Sequence, residues 1–356
     1  SSGSNANIQF SPSQGNTVLV TANDKGYCIR AYNPMSNSKT LQTAKYKEST
    51  EMMCVPGWNA FAMVGDEQSS HSCLIASNDN LYCWGLNTEG QLGNGTFTNS
   101  TIPVAVQTAG VLSGKTIKQV VTGRNHTCVI ASDNLVYCWG YNSNGELGNG
   151  IAGNSNTPVA VDFSGVLNGK TAKSISAGNL HTCIVASDNL PYCWGDNNFS
   201  QIGNGSSIEP RVPLAVVTSG ALSGKTVKVL VSRGEHNCAI ASDDSAYCWG
   251  WGPYGQLGHG VSSNSNVPVA VSRAGVLSGL TVSKIFIGGA RSCVIASDNK
   301  LYCWGLNTNG ELGNTSTANM NVPVSPTLSG VLLGKNIVEV GMASNHICAL
   351  ANDGSA

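Results

Sequence analysis

Cysteine spacing constrains this chain more than any other feature. Cys73, Cys128, Cys183, Cys238, Cys293 and Cys348 stand 55 residues apart, and Cys83, Cys138, Cys193, Cys248 and Cys303 each follow ten residues behind the first five. A ladder of that regularity means one structural unit repeated along the chain. In the second copy the unit reads TIKQVVTGRN, then His126-Thr-Cys128-VIASDNLVY-Cys138-Trp139-Gly140, then YNSNGELGNG and a later TPVAV run. Four short segments rich in β-branched or aromatic residues, bounded by Gly, Asn, Asp and Ser, predict strands near 115–122, 126–132, 135–140 and 157–161. Four antiparallel strands make one blade of a propeller, and a period of 55 is too long for one coil of a β-helix.

The fold class expected is therefore all-β, a β-propeller of about six four-stranded blades. Forty-two glycines agree with a turn-rich β protein. Charged residues make up only 11% of the chain and the net charge is -1, which excludes the basic surface that binds DNA or RNA. No stretch reaches the roughly 18 consecutive apolar residues of a membrane helix.

Folding the chain about the Ser132-Asp133-Asn134 turn sets Cys128 opposite Cys138, and the same geometry recurs in the other four cysteine-paired copies. This predicts disulfides Cys73–Cys83, Cys128–Cys138, Cys183–Cys193, Cys238–Cys248 and Cys293–Cys303, each closing a small loop and contributing roughly 2–3 kcal/mol. Structural zinc motifs place their cysteines closer together, so no metal is expected. Disulfides point to an oxidising compartment, hence a secreted or surface protein.

The run His-x-Cys-x-[Ile/Val]-Ala-Ser-Asp-Asn-x-x-Tyr-Cys-Trp-Gly-x-Asn-x-x-Gly-[Gln/Glu]-Leu-Gly-Asn-Gly resembles the regulator-of-chromosome-condensation repeat in its bacterial, cysteine-bearing form, over residues 57–356. The resemblance implies a propeller, with seven blades as the family-typical alternative to six. Its members serve as exchange factors, photoreceptors, enzyme inhibitors and interaction platforms, so a shared fold does not carry a function with it.

The sixth blade is half built, because Ala356 comes before the expected partner of Cys348. It is either incomplete or closed by the N-terminal region, where Tyr27-Cys28 stands 55 residues before Tyr82-Cys83 and would put Cys28 beside Cys348. Residues 1–56 otherwise break the repeat and are assigned to a small β-rich module. Val18–Pro34 and Lys45–Cys54 resemble the C-terminal β-region of type IV pilin-like proteins, which implies a Cys28–Cys54 disulfide, the pairing preferred here. In that family an apolar N-terminal helix precedes the module. Its absence fits Ser1-Ser2-Gly3-Ser4 as a cloning remnant, with natural sequence expected upstream.

Candidate chemistry is sparse. His71, His126, His181, His236 and His346 share one repeat position, with Arg291 in the remaining copy. They are read as hydrogen-bonding the neighbouring blade rather than as a metal ring, since a cation at Arg291 repels a metal. Trp84, Trp139, Trp194, Trp249 and Trp304 are read as packing between blades and against the disulfides. No nucleophile and base stand outside the repeat pattern, so no enzyme activity and no cofactor are expected. Function is sought where loops depart from the repeat. After Trp-Gly the residue changes from Leu86 to Tyr141, Asp196, Trp251 and Leu306, the third and fourth copies add Phe199, Pro253 and Tyr254, and a Glu209-Pro210-Arg211 insertion is unique. Tyr141, Phe199, Trp251 and Tyr254 are the candidate binding residues.

The function expected is a non-catalytic, extracellular binding head of a pilin-like bacterial surface protein. Its partners would be a protein or glycan on another cell, or other pilus subunits, with no nucleic acid. A secreted propeller inhibitor of another enzyme is the alternative. Guanine-nucleotide exchange fits poorly, because disulfides do not suit a reducing compartment.

Overall fold

The computed structural model describes residues 6–10, 17–23, 26–32, 71–76, 79–342 and 346–355. Within them the chain is all-β, built from antiparallel meanders. β1 (Ala6–Phe10), β2 (Thr17–Asn23) and β3 (Gly26–Tyr32) form one three-stranded sheet of their own. Cys28 lies on β3 opposite Thr21. Cys54, and with it the expected Cys28–Cys54 bond, lies outside the described residues, as does most of the stretch assigned to the N-terminal module.

The repeats form the blades of a propeller. The first holds β4 (His71–Ile75), β5 (Leu81–Gly85) and β6 (Ser100–Ala105), and the second β7 (Ile117–Thr122), β8 (His126–Ala131), β9 (Val136–Gly140) and β10 (Ser155–Ala160). The third holds β11 (Ala172–Ala177), β12 (His181–Ala186), β13 (Pro191–Gly195) and β14 (Leu214–Ala215). The fourth holds β15 (Val227–Arg233), β16 (His236–Ala241), β17 (Ala246–Gly250) and β18 (Ser265–Ala270), and the fifth β19 (Val282–Gly288), β20 (Arg291–Ala296), β21 (Leu301–Gly305) and β22 (Met320–Val324). β23 (Ile337–Met342) and β24 (Ile347–Ala351) pair as a two-stranded sheet. The innermost strands β7, β11, β15, β19 and β23 neighbour one another in turn and surround an axial cavity of about 210 Å³. Its wall is mainly apolar and includes Val121, Val231, Phe286 and Val340.

Each hairpin between the second and third strands turns on a left-handed residue, such as Asn134 at φ 62°. Asp133 holds the turn by accepting from Leu135 N–H (3.0 Å) and the Tyr137 hydroxyl (2.7 Å). That register puts Cys128 directly opposite Cys138, with Cα atoms 4.1 Å apart. The four other expected pairs form in the same way. Cys348, half-buried, makes no disulfide with any described residue.

The core lies between blades rather than within them. Trp139 packs with Cys73 and Cys83 of the preceding blade, and Trp194, Trp249 and Trp304 repeat the arrangement. These four indoles are fully buried, as the sequence suggested, while Trp84 of the first blade is half-buried. Each buried indole N–H needs an acceptor. It finds one in the preceding blade, as in Trp139 Nε1 to Gln91 O (2.9 Å) and Trp304 Nε1 to Gln256 O (2.7 Å). The loop that supplies this carbonyl must approach the ring closely. Gly93 sits there at φ +65°, and a Cβ on it would lie 2.5 Å from Trp139 Nε1. Gly93→Ala is therefore expected to destabilise the protein by about 2–3 kcal/mol in chemical denaturation, because neither the positive φ nor the buried ring can yield cheaply.

The histidines complete the seam between blades. His71 Nε2 meets Thr127 Oγ1 (2.8 Å), His126 meets Thr182 (2.9 Å), His181 meets Asn237 Oδ1 (2.8 Å) and His236 meets Ser292 Oγ (2.9 Å), each on the next blade. Thr127 and Ser292 give their own protons to Gln91 O and Gln256 O, so they accept from the imidazoles. Asn237 Oδ1 can only accept. The ring proton is thus on Nε2, and the histidines hydrogen-bond the neighbouring blade as read from the sequence. His346 departs from the pattern and is exposed.

Candidate interaction face

The loops that follow the third strands all leave from a glycine with positive φ, for example Gly195 at 103° and Gly250 at 99°. An asparagine two residues on shapes most of them. Asn142 donates through Nδ2 to Ile151 O (2.7 Å) and Gly153 O (3.1 Å), and its Oδ1 accepts from Leu147 N–H (3.0 Å). Asn197 does the same with Ser206 O, Ile208 O and Ile202 N–H. One loop lacks this asparagine. Gly252 stands in its place, and a Cβ there would fall 1.9 Å from Ser263 O, so the backbone occupies the space that the amide fills elsewhere. The change of Asn to Gly accompanies Trp251, Pro253 and Tyr254, which makes the fourth loop a different construction on the same frame.

Three of the four candidate binding residues come together. The rings of Phe199 and Trp251 lie 6.0 Å apart, tilted by 55°, and Trp251 and Tyr254 lie 5.2 Å apart edge to face. Phe199 is 39% exposed, and Trp251 and Tyr254 are half-buried, so the cluster presents aromatic surface to solvent. Tyr141 is half-buried, belongs to the second loop, and makes no ring contact with the trio. Of the variable residues after Trp-Gly, Asp196 is only 3% exposed, so it supports the surface rather than forming it.

Gln201 organises the base of the cluster. Its Oε1 accepts from Phe199 N–H (2.8 Å) while Nε2 donates to Asp196 Oδ2 (2.6 Å) and Glu235 Oε2 (3.0 Å). The Trp251 N–H in turn bonds the backbone carbonyl of Glu235 (2.9 Å). Sequence reasoning missed Gln201 because it fills the Gln/Glu position of the repeated Gly-[Gln/Glu]-Leu-Gly motif, although this copy reads Ser200-Gln201-Ile202-Gly203. Only its neighbours make it special.

Glu209-Pro210-Arg211 is a substitution in register rather than an insertion. Glu209 stands where Asn99, Asn154, Asn264 and Asn319 stand in the other repeats, and the 55-residue spacing is kept. Pro210 cannot donate to a ladder, and the outer strand of this blade shrinks to the two residues of β14. Arg211 donates instead to Ser143 O of the adjacent blade (3.0 Å).

Comparison with known proteins agrees with this architecture. Residues 35–356 match the RCC1-like domain. The chain is 29% identical over 287 residues to the ultraviolet-B receptor UVR8 of Arabidopsis thaliana, covering 80% of this chain and 62% of the receptor. It is 27% identical over 285 residues to the human E3 ubiquitin-protein ligase HERC2, covering 79% of this chain but only 5% of the ligase. It thus spans less than two thirds of the length of these curated relatives. Among solved structures, human WBSCR16 superposes with a TM-score of 0.67 at 21% identity, covering 80% of this chain and 70% of that one. Yeast RCC1 (Prp20), solved bound to Kap60, superposes with a TM-score of 0.65 at 18% identity, covering 80% and 66%.

Proposed function

This chain belongs to the RCC1-like domain family, and we propose that it is a non-catalytic, extracellular binding head that recognises a protein through the loops at 196–205 and 251–260. The observation that carries this reading is the aromatic trio Phe199, Trp251 and Tyr254. It forms where two adjacent repeats abandon the shared loop sequence, with Phe199 exposed and Trp251 and Tyr254 half-buried. Tryptophan and tyrosine in such positions are the commonest anchors of protein interfaces. Protein binding is also what the solved yeast relative displays, in its complex with Kap60. Five disulfides support an oxidising environment. Residues 1–56, read as a pilin-like module, would tether the head to a bacterial surface filament.

The test uses the protein expressed in its own host. Wild type is expected in the surface or filament fraction and to mediate adhesion. Trp251→Ala combined with Tyr254→Ala is expected to leave surface level unchanged and to lower adhesion about tenfold or more. Failure to reach the surface sinks the pilin reading. Full adhesion by the double variant sinks the assignment of the face.

A further inference from the structure

The sequence holds six Asn-Gly pairs, with the asparagine at 94, 144, 149, 168, 204 and 309, and the fold treats one of them differently. An asparagine before glycine can cyclise onto the next backbone nitrogen, but only where both groups are free to meet. In five pairs they are not. Asn94, Asn149 and Asn204 each fix Oδ1 on the N–H two residues on, while Gly95, Gly150 and Gly205 donate to Asn156 O (2.9 Å), Arg211 O (2.9 Å) and Asn266 O (2.8 Å) of the next blade. Asn144 and Asn309 donate through Nδ2 to Glu146 (3.0 Å) and Glu311 (3.3 Å). Gly145 is buried against Arg211, and Gly310 donates to Asn307 O (3.0 Å). Asn168-Gly169 stands apart. It lies in the connection from β10 to β11, where the other repeats carry Ser113, Ser223, Ser278 and Leu333 before the glycine. Both residues are exposed, and no atom stands within 4 Å of the place a Gly169 Cβ would take. Among the described residues, neither the Asn168 side chain nor the Gly169 N–H has a hydrogen-bond partner.

We propose that Asn168-Gly169 is a site of spontaneous covalent modification, a deamidation through a succinimide that turns Asn168 into isoaspartate and aspartate. The Gly169 nitrogen attacks Cγ of Asn168, the new N–Cγ bond forms as the Cγ–Nδ2 bond breaks, and ammonia leaves with the proton of the backbone amide. Solvent water then opens the ring. Opening at the backbone carbonyl leaves an isoaspartyl link, with one more carbon in the main chain and a free carboxylate, and opening at Cγ gives ordinary aspartate. The turn gives this change a consequence. Lys170 N–H closes the turn on Leu167 O (2.9 Å), and Leu167 is fully buried in the core between the second and third blades. An extra main-chain carbon between these residues breaks the spacing that the bond requires and loosens the anchor. In an antiparallel blade this connection leaves the end opposite to the loop after the third strand, so the site is remote from Phe199, Trp251 and Tyr254. The modification bears on stability and not on docking.

The experiment incubates the full chain at mildly alkaline pH and body temperature and follows all six pairs by peptide mass spectrometry, with an isoaspartyl methyltransferase and a labelled methyl donor reporting isoaspartate. Position 168 is expected to gain mass and accept methyl groups at least about tenfold faster than any other pair, because the rest must open locally before they react. In the reduced, denatured chain all six pairs are expected to react at similar rates, which assigns the difference to the fold. Asn168→Ser, which installs the residue of three other copies, is expected to abolish methyl acceptance by the folded protein and to leave its thermal melt unchanged. Six equal rates in the folded chain, or another pair reacting first there, overturns the proposal.

Discussion

Acidification from about pH 7.5 to 5 is expected to lower the melting temperature by on the order of 10 °C, long before ordinary carboxylates protonate. Burial drives His71, His126 and His236 down to about 3 and His181 to about 4, against 6.5 for an unperturbed imidazole. A folded-state value below the unfolded one means that the unfolded chain binds protons first. Stability is then fully present above pH 6.5 and is lost as the pH falls toward the folded values. Each histidine removes about 2 kcal/mol between pH 6.5 and 5, so the four together remove roughly 8 kcal/mol, comparable to the whole stability of many domains. The structural reason is plain. Nε2 already donates across the seam, and Nδ1 of His126, His181 and His236 has no partner to receive a new proton. Glu146 works in the opposite direction, since its raised value adds stability below pH 7, but it is one group against four. Thermal melts followed by near-ultraviolet circular dichroism across this range measure the effect. A melting temperature that stays flat from pH 7.5 to 5 would contradict it, and His236→Gln, which keeps an N–H donor without titrating, should flatten the slope.

Glu311→Gln is expected to cost about 3–5 kcal/mol in chemical denaturation, far more than a single amide-for-acid exchange on a surface. Arg291 and Glu311 form an ion pair at 3.4 Å with both side chains fully buried. Removing the carboxylate leaves the guanidinium charged in the interior. The repeat explains how this pair arose and how to undo it. Three other copies place His with Gln at these two positions, namely 71 with 91, 181 with 201 and 236 with 256. In those copies the imidazole donates to Thr127, Asn237 or Ser292 on the next blade. The equivalent residue facing the fifth blade is Ile347, which offers no acceptor. In this copy the cation pairs with a carboxylate of its own blade. The triple variant Arg291→His, Glu311→Gln and Ile347→Thr restores the common pattern and is expected to recover most of the lost stability. If Glu311→Gln alone costs less than about 1 kcal/mol, the pair is not a buried charge couple in solution.

The blades were legible in the sequence because every blade must satisfy the same geometry. Four strands per repeat, the cysteine pairs and the inter-blade role of the histidines follow from spacing and residue type, and the structure reproduces the four strands in the second to fifth blades, all five cysteine pairs, and the inter-blade bonds of His71, His126, His181 and His236. The loop face was legible only in part. Phe199, Trp251 and Tyr254 stand out as departures from the repeat, and so does Tyr141, yet only the first three meet. Nothing in one dimension distinguishes them, because the meeting is between loops of adjacent blades. Gln201 and Asp196 were invisible for the opposite reason: a motif residue looks structural, and a variable residue looks exposed.

By itself, then, the sequence determined the repeating unit, its disulfides and the residues of the seam, since a period of 55 repeats every local constraint at each turn around the axis. Tertiary structure alone decided which variable residues form a surface, and why Arg291 replaces a histidine. Both depend on the neighbouring blade, where Gln201 ties two carboxyls beneath an aromatic cluster and Ile347 withholds the acceptor an imidazole needs.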